Sequence, residues 1–250
     1  EDTVYFPAVD LTMKPTNMNF IFSGWYKLRV APSLDFTGRT STRQLFYSCS
    51  SLSYVGNITG TERVTDMSFM FYDCNPLTSV PQMVTSSVTN MDYMFSYCKS
   101  LTSIPQMDTS SVTSMNSIFN GCSSLTSIPQ MDTSKVTNVG YMFTVCLSLT
   151  SIPLLDCSSI TNTTSPLGYS SLNKLTDLGG FKDLKVSWSS NFLDRVPNAT
   201  VESLMNVINN LYDLTANGLS GQTLKFGTTN LNKLTDEQKA VAINKGWTLT

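Results

Sequence analysis

A phenylalanine returns about every two dozen residues through most of the chain, and this period constrains the fold more than any other feature. The phenylalanines are Phe22, Phe46, Phe71, Phe95, Phe119 and Phe143, at steps of 24, 25, 24, 24 and 24 residues. Three residues after each comes Trp25, Cys49, Cys74, Cys98, Cys122 or Cys146. A period in the twenties is typical of stacked repeat proteins, because a single unit of that length cannot bury its apolar face alone. The sequence therefore predicts one elongated array rather than separate globules.

Each unit keeps two more apolar positions, and a strand-ending residue follows them. Leu28, Leu52, Leu77, Leu101, Leu125 and Leu149 come first, and Ala31, Val55, Val80, Ile104, Ile128 and Ile152 come three residues later. The next residue is Pro32, Pro81, Pro105, Pro129 or Pro153, with Gly56 as the exception. Because proline cannot donate to a strand ladder, we expect it to mark where the chain leaves a short strand.

The array has recognisable ends. Tyr169, Leu172, Leu175 and Leu178 reproduce the spacing of Phe143, Cys146, Leu149 and Ile152, which predicts a seventh, degenerate unit. We therefore assign residues 22–180 to the repeats, 1–21 to an N-terminal cap and 181–250 to C-terminal capping repeats. Terminal units of such arrays are atypical because one face meets water.

The C-terminal segment has a different pattern. Leu204, Val207, Ile208 and Leu211 form a helical stripe after the candidate N-cap Thr200. A second helix is predicted at 236–244, where Thr235 and Gln238 form a capping box and Gly246 follows as the stop. The runs DLKVSW, QTLKFG and WTLT predict short strands. The fold class is therefore an α/β solenoid of about seven short coils with short parallel strands, closed by a strand-helix cap.

Charge excludes several partners. Charged residues make up 14% of the chain, against about 25% in an average soluble domain, and the net charge is −2. No segment collects lysine and arginine, so we expect neither nucleic acid nor an anionic membrane as a partner. No run of about 18 apolar residues occurs, which argues against membrane insertion, and the N-terminus EDTVYFPAVD lacks the pattern of a signal peptide.

The cysteines are expected to be free. Five of the six repeat at one position, so stacking would set their Cβ atoms about 4.8 Å apart, beyond the roughly 3.5–4.5 Å that a disulfide needs. We interpret them as small buried hydrophobes. Cys157, which replaces the threonine of a repeated Asp-Thr-Ser turn, is expected to be exposed.

The chain contains no histidine, and this argues against an enzyme. Histidine-based triads and histidine metal ligands are excluded, and we predict no catalytic residues, metal or cofactor. Asp108, Asp132 and Asp156 recur at one position and could together hold Ca²⁺. The alternative is that each carboxylate bonds the backbone of its own turn.

Two exposed columns are candidate binding surfaces. We call the first the hydroxyl face, and it consists of Thr78, Thr102, Thr126, Thr150, Ser79, Ser103, Ser127, Ser151, Gln82, Gln106 and Gln130. It either contacts a partner or forms a solvated ladder that holds the units together. Phe69, Tyr93 and Tyr141 share a second position, and Tyr47, Tyr72 and Tyr97 lie near the cysteines. These aromatics either face a partner or pack within the protein.

The run MFSYCKSLTSIPQMDTSSVTSM resembles the BspA-like leucine-rich repeat surface proteins over about residues 20–180. The C-terminal LTDEQKAVAINKGWTL resembles the tail that often closes such arrays. The resemblance implies a right-handed, leucine-rich-repeat-like superhelix in a bacterial protein of the cell surface or secreted. It also implies adhesion to host proteins or other cells.

The function expected from these patterns is non-enzymatic binding. The rigid array would present its neutral hydroxyl face to a protein or glycan partner, with aromatic side chains as anchors. An alternative is a structural part of a larger assembly, such as a phage tail or surface appendage. Ice binding through the threonine column is a third hypothesis, which serine and proline interruptions disfavour.

Overall fold

A computed structural model describes residues 18–162, 164–188 and 193–250. The N-terminal cap predicted at 1–21 therefore lies mostly outside the described residues.

Short parallel strands join equivalent residues of neighbouring units. Strands β1 (Val30–Ala31) and β2 (Leu34–Asp35) pair with β3 (Tyr54–Val55) and β4 (Ile58–Thr59). Strands β5 (Ser151–Ile152) and β6 (Leu155–Asp156) pair with β7 (Asp177–Leu178) and β8 (Phe181–Lys182). Each first strand stops at the residue before a proline or glycine, as predicted. Between these pairs, isolated parallel bridges run through Ser41, Asp66, Asn90, Ser114 and Asn138.

The six phenylalanines stack into one buried column. Their ring centroids are 5.3–6.1 Å apart from one unit to the next, and the rings lie within 13° of parallel. The cysteines and leucines that follow them are also buried. The predicted shared apolar interior is confirmed for these residues.

The segment around each phenylalanine is a chain of tight turns. The residues two positions before and two positions after it have positive φ in every unit. They are Phe20, Gln44, Phe69, Tyr93, Ser117 and Tyr141 before it, and Gly24, Ser48, Asp73, Tyr97, Gly121 and Val145 after it. In the second unit, the amides of Leu45 and Cys49 donate to the carbonyls of Thr42 and Phe46. Positive φ at the third residue of such a turn is the mark of type II geometry.

The prediction for the last repeat unit was wrong at one position. Tyr169 is 65% exposed, and Leu167 is fully buried instead. The amide of Phe143 donates to the carbonyl of Pro166, which sets Leu167 level with Phe143. The two residues by which this unit is longer lie after the core position, so Tyr169 is displaced to the surface.

The C-terminal segment contains the helices. Helix α1 (Val201–Asn210) begins after Thr200, whose hydroxyl accepts from the Ser203 amide. Strand β9 (Gln222–Leu224) is followed by the short helix α2 (Thr228–Leu231). Helix α3 (Asp236–Asn244) starts with the predicted capping box. Strand β10 (Trp247–Leu249) then pairs in parallel with β9.

One prediction fails here, and two elements were not predicted. The run DLKVSW is not a strand, because Ser187 within it uses its side chain and amide on Gln222 rather than on a strand ladder. The 3-10 turn Leu193–Arg195 and helix α2 were not predicted.

Within the described ranges, no helix has the length and apolar content needed to cross a bilayer.

The described residues thus form repeated short parallel strand pairs with few helices. This architecture is compatible with a repeat fold, and it places the candidate surfaces along columns of equivalent positions.

Candidate binding surfaces

The hydroxyl face uses its polar groups on its own backbone. The hydroxyls of Thr102, Thr126 and Thr150 each donate to the main-chain carbonyl of the equivalent threonine in the preceding unit, at 3.2–3.4 Å. The amide nitrogens of Gln82, Gln106 and Gln130 donate to carbonyls of the next unit at 2.8–2.9 Å. These side chains are exposed. The contacts favour the interpretation that this face is a ladder holding the units together.

A second exposed threonine column was not singled out from the sequence. Its members are Thr40, Thr65, Thr89, Thr113, Thr137 and Thr161, one in each of six successive units. The hydroxyls of Thr65, Thr89, Thr113 and Thr137 donate to the preceding threonine carbonyl at 3.1–3.2 Å. The uninterrupted 24- and 25-residue spacing was the signal that could have found it.

Five of the predicted aromatic residues meet in one group, which we call the aromatic cluster. It consists of Tyr47, Phe69, Tyr72, Tyr93 and Tyr97. Two pairs stack in parallel: Tyr47 on Tyr72 at 4.8 Å and Phe69 on Tyr93 at 4.7 Å between centroids. Tyr97 meets Tyr72 edge-on at 5.5 Å and is 38% exposed, while the other four rings are half-buried.

The cluster carries polar groups at its edge. Arg43 lies over the Phe69 ring with 5.5 Å between its guanidinium carbon and the centroid. Its guanidinium also donates to Ser68 Oγ at 3.0 Å and lies 3.8 Å from Asp66. Burial first, and then the neighbouring phenols and Asp73, raise the pKa of Tyr72. The Tyr72 phenol therefore stays protonated at neutral pH.

Tyr141 does not join the cluster. Ser117, which is buried, occupies the equivalent position in the unit between Tyr93 and Tyr141. Tyr141 pairs instead with Tyr169, with 3.3 Å between their hydroxyls and 5.8 Å between ring centroids. The aromatic column predicted as one strip is thus divided into two groups.

The cysteines are free and buried, but the prediction for Cys157 was wrong. Cys157 is only 2% exposed. It stands in a column with Thr61, Thr85, Thr109 and Thr133, which are themselves buried because their hydroxyls donate to carbonyls of the next unit. Burial raises the pKa of the Cys49 and Cys98 thiols to about 12. A thiol at such a pKa is a poor nucleophile.

The aspartate column follows the turn interpretation. Asp108 and Asp132 each accept from the amide and the hydroxyl of the serine two residues on, at 2.7–3.0 Å. These bonds lower the pKa of both carboxyls. Asp156 bonds Ser158 in the same way and contacts Lys182 at 2.8 Å. Among the described residues, no three histidine, cysteine or acidic side chains are grouped to hold a metal ion.

Stacked columns of this kind define a repeat protein with surfaces built from equivalent positions. The sequence matches the family described as "Mycoplasma protein of unknown function, DUF285" over residues 12–79, 40–151 and 65–176. These overlapping matches run from residue 12 to residue 176, about two thirds of the chain, and the chain belongs to this family. No curated protein and no solved structure matches it.

Proposed function

We propose that this protein is a non-enzymatic binding module, of the cell surface or secreted, that recognises a partner protein through the aromatic cluster. In this proposal the units stack as a right-handed, leucine-rich-repeat-like solenoid of about seven short coils with a strand-helix cap. The location and the handedness rest on the resemblance to BspA-like proteins. The observation that carries the function is the cluster of five aromatic rings at the surface.

The cluster is better suited to binding than the hydroxyl face. The donors of Thr102, Thr126 and the three glutamines are already used between units. The structure gives the hydroxyls of Tyr47, Tyr72, Tyr93 and Tyr97 no partner in the part of the chain that it describes. Tyrosine supplies a large rigid contact area and a polar tip at little cost in conformational entropy, which is why interfaces are rich in it.

Ring geometry favours a protein over a glycan. A sugar ring stacks on an open face of an aromatic ring. In each of the two stacked pairs, one face of both rings is covered by the other ring, with 4.7–4.8 Å between ring centroids. The faces that are not stacked, the ring edges and the hydroxyls remain for contact, and these suit the side chains and backbone of a protein. The glycan partner expected from the sequence is therefore the alternative outcome of the test.

Chemistry supports a binding role. The chain has no histidine, and its cysteines are buried with raised pKa values. The recurring carboxylates accept bonds from their own turns. Binding needs none of these groups to react.

A paired binding screen tests the proposal. Arrays of extracellular proteins and of glycans are probed with the full chain, with the double variant Tyr93→Ala and Tyr97→Ala, and with Thr102→Val as the hydroxyl-face control. We expect saturable binding to a protein, weakened at least about tenfold in the double variant and unchanged in the control. Thermal unfolding checks that each variant is folded.

Three results would overturn the proposal. Ligands found only on the glycan array would replace the protein partner by a glycan. Binding that Thr102→Val weakens and the double variant does not would move the site to the hydroxyl face. Absence of any saturable ligand would favour the structural role in a larger assembly.

A further inference from the structure

We infer that the aromatic cluster receives a basic segment of its partner, with an arginine or lysine side chain lying against the tyrosine rings. This inference rests on the proposed function and adds the chemistry of the partner. Three observations support it, and each concerns a different part of the cluster.

The first observation is that the cluster already holds a guanidinium. Arg43 reaches from the preceding unit to lie over Phe69, and Ser68 and Asp66 fix its position through a 3.0 Å hydrogen bond and a 3.8 Å ion pair. A cation within about 6 Å of a ring centroid is attracted by the negative face of the ring. The chain's own arginine therefore demonstrates the contact that we assign to a partner at the other rings.

The second observation is the charge around the rings. Asp73 directly follows Tyr72, and Asp92 directly precedes Tyr93. Their carboxylates accept from polar groups only, namely Asn75 in one case and Ser114 with the Asn116 amide in the other.

None of the groups that donate to Asp73 and Asp92 in these hydrogen bonds is basic, so both carboxylates keep their negative charge. The cluster is carried by residues 43–47, 66–73 and 92–99, in which the Arg43 and Asp66 charges offset each other and Lys99 is the other basic residue. Lys99 offsets one of the two carboxylates, so these segments keep a net charge of −1, which favours a cation over an anion.

The third observation is that the most exposed ring is held in place. Tyr97 packs over Gly121 of the next unit so closely that a Cβ at position 121 would lie 2.8 Å from its Cδ1. Its ring is also edge-on to Tyr72. A preorganised ring loses little freedom when a partner binds. Burial, the phenols of Tyr47 and Tyr97 and then Asp73 raise the pKa of Tyr72, which agrees with the Asp73 carboxylate lying near the rings.

Titration calorimetry with defined peptides tests the inference. The probe is a capped peptide that alternates glycine and arginine, and the matched peptides carry lysine, citrulline or glutamate in place of arginine. With the full chain, we expect saturable binding of the arginine and lysine peptides that weakens as salt is added. The citrulline and glutamate peptides should bind at least about tenfold more weakly.

Variants locate the binding. The pair Asp73→Asn and Asp92→Asn removes two charges and keeps an oxygen that can accept the same hydrogen bonds, and we expect it to weaken the arginine peptide about tenfold. The matched pair Glu202→Gln and Glu237→Gln removes two exposed charges in the C-terminal segment and should leave binding unchanged. Tyr141→Ala, outside the cluster, should also leave it unchanged.

Two outcomes would overturn the inference: equal binding of the glutamate or citrulline peptide, or equal losses in the two charge-removing pairs. A protein partner that needs Tyr93 and Tyr97 but tolerates Asp73→Asn and Asp92→Asn would refute this inference and leave the proposed function standing. A screen in which no partner depends on the rings would refute the proposed function itself.

Discussion

The repeats and the C-terminal segment satisfy their backbone carbonyls in different ways. In the repeats, neutral donors do so once per unit: cysteine thiols donate to phenylalanine carbonyls at 3.0–3.1 Å, and threonine and glutamine side chains donate to others. In the C-terminal segment, the Lys245 ammonium donates to three carbonyls at the end of α1. Lys233 donates likewise to the carbonyls of Pro197 and Ala199.

The difference follows from repetition. A donor that recurs on rungs about 4.8 Å apart would form a column of like charges if it were ionised, so the repeats use neutral groups. Each C-terminal contact occurs once, and an ammonium there has no equivalent beside it. Low overall charge is thus a property of the stacked columns, while single contacts are free to use charge.

The largest expected difference between the repeats and the C-terminal segment is a loss of stability of the repeats at high pH, because all six cysteines lie before residue 158. Burial raises the pKa of Cys49 and Cys98 from 9.0 to about 12 and raises those of the other four as well. A raised folded pKa means that stability is fully present below pH 9.0 and is lost as pH rises toward 12. At pH 10 the loss should be about 1.4 kcal/mol per thiol, or about 8 kcal/mol for all six.

Urea unfolding from pH 7 to 10 measures this loss, and thiolate absorbance reports ionisation. Cys98→Ala is the control, because it should remove one thiol's contribution from the pH slope. A folded protein at pH 10 with a full thiolate signal would contradict the assigned burial.

Removing one stacked ring should have the next largest effect. Phe95→Ala deletes a buried side chain between Phe71 and Phe119 and should cost about 3–5 kcal/mol. Because repeats contact mainly their neighbours, hydrogen exchange should rise first in the adjoining units, with α1 and α3 staying protected. Tyr54→Ala, at a 59% exposed ring, is the control and should change stability little. Equal loss of protection in both regions would mean that they unfold as one unit.

Single donors test the comparison more finely. Lys245→Met leaves three carbonyls at the end of α1 without their ammonium and should cost about 2 kcal/mol, whereas Gln106→Met breaks one ladder step and should cost about 0.5–1 kcal/mol. Lys239→Met, which removes an exposed ion pair with Asp236, serves as a control and should cost less than about 0.5 kcal/mol. Chemical denaturation measures all three, and a larger loss for Gln106→Met than for Lys245→Met would reverse the comparison.

The smallest expected effect concerns the repeated turns. Gln44 has φ of 55°, a conformation that glycine adopts without steric cost. Gln44→Gly should therefore raise the free energy of unfolding by about 0.5 kcal/mol, while Ser50→Gly, at a position of negative φ, should lower it by a similar amount. Thermal unfolding of the two variants distinguishes these signs, and a destabilised Gln44→Gly would show that the turn depends on the glutamine side chain.

The repeat core was predictable because each position is sampled several times along the chain. The phenylalanine, cysteine and leucine columns, and the capped helices α1 and α3, agree with the sequence patterns. Cys157 was misplaced because a threonine in a turn suggests exposure, while these threonines are buried by the hydroxyl bonds they make to the next unit. Tyr169 was misplaced because a longer unit can carry its extra residues on either side of the core position.

The aromatic site was predictable in composition and not in grouping. The sequence places Phe69, Tyr93 and Tyr141 at one position, but only stacking between neighbouring units brings rings together. Ser117 separates Tyr141 from the cluster, while Tyr47, Tyr72 and Tyr97 join it from positions that follow a phenylalanine of the column in sequence. The net charge around the rings could not be assigned from the sequence, because only the structure shows that Arg43 is paired with Asp66.

In the repeated cysteine column, in the threonine column of Thr85 and in the column of Gln106, the side chain donates to a main-chain carbonyl of the neighbouring unit. Every amino acid carries that carbonyl, so these columns do not need a particular side chain on the unit beside them. Unequal recombination within the gene could therefore duplicate or delete whole units without removing, in these columns, a contact that depends on a specific pair of side chains. Array length is the property of this protein that we expect lineages to change most readily.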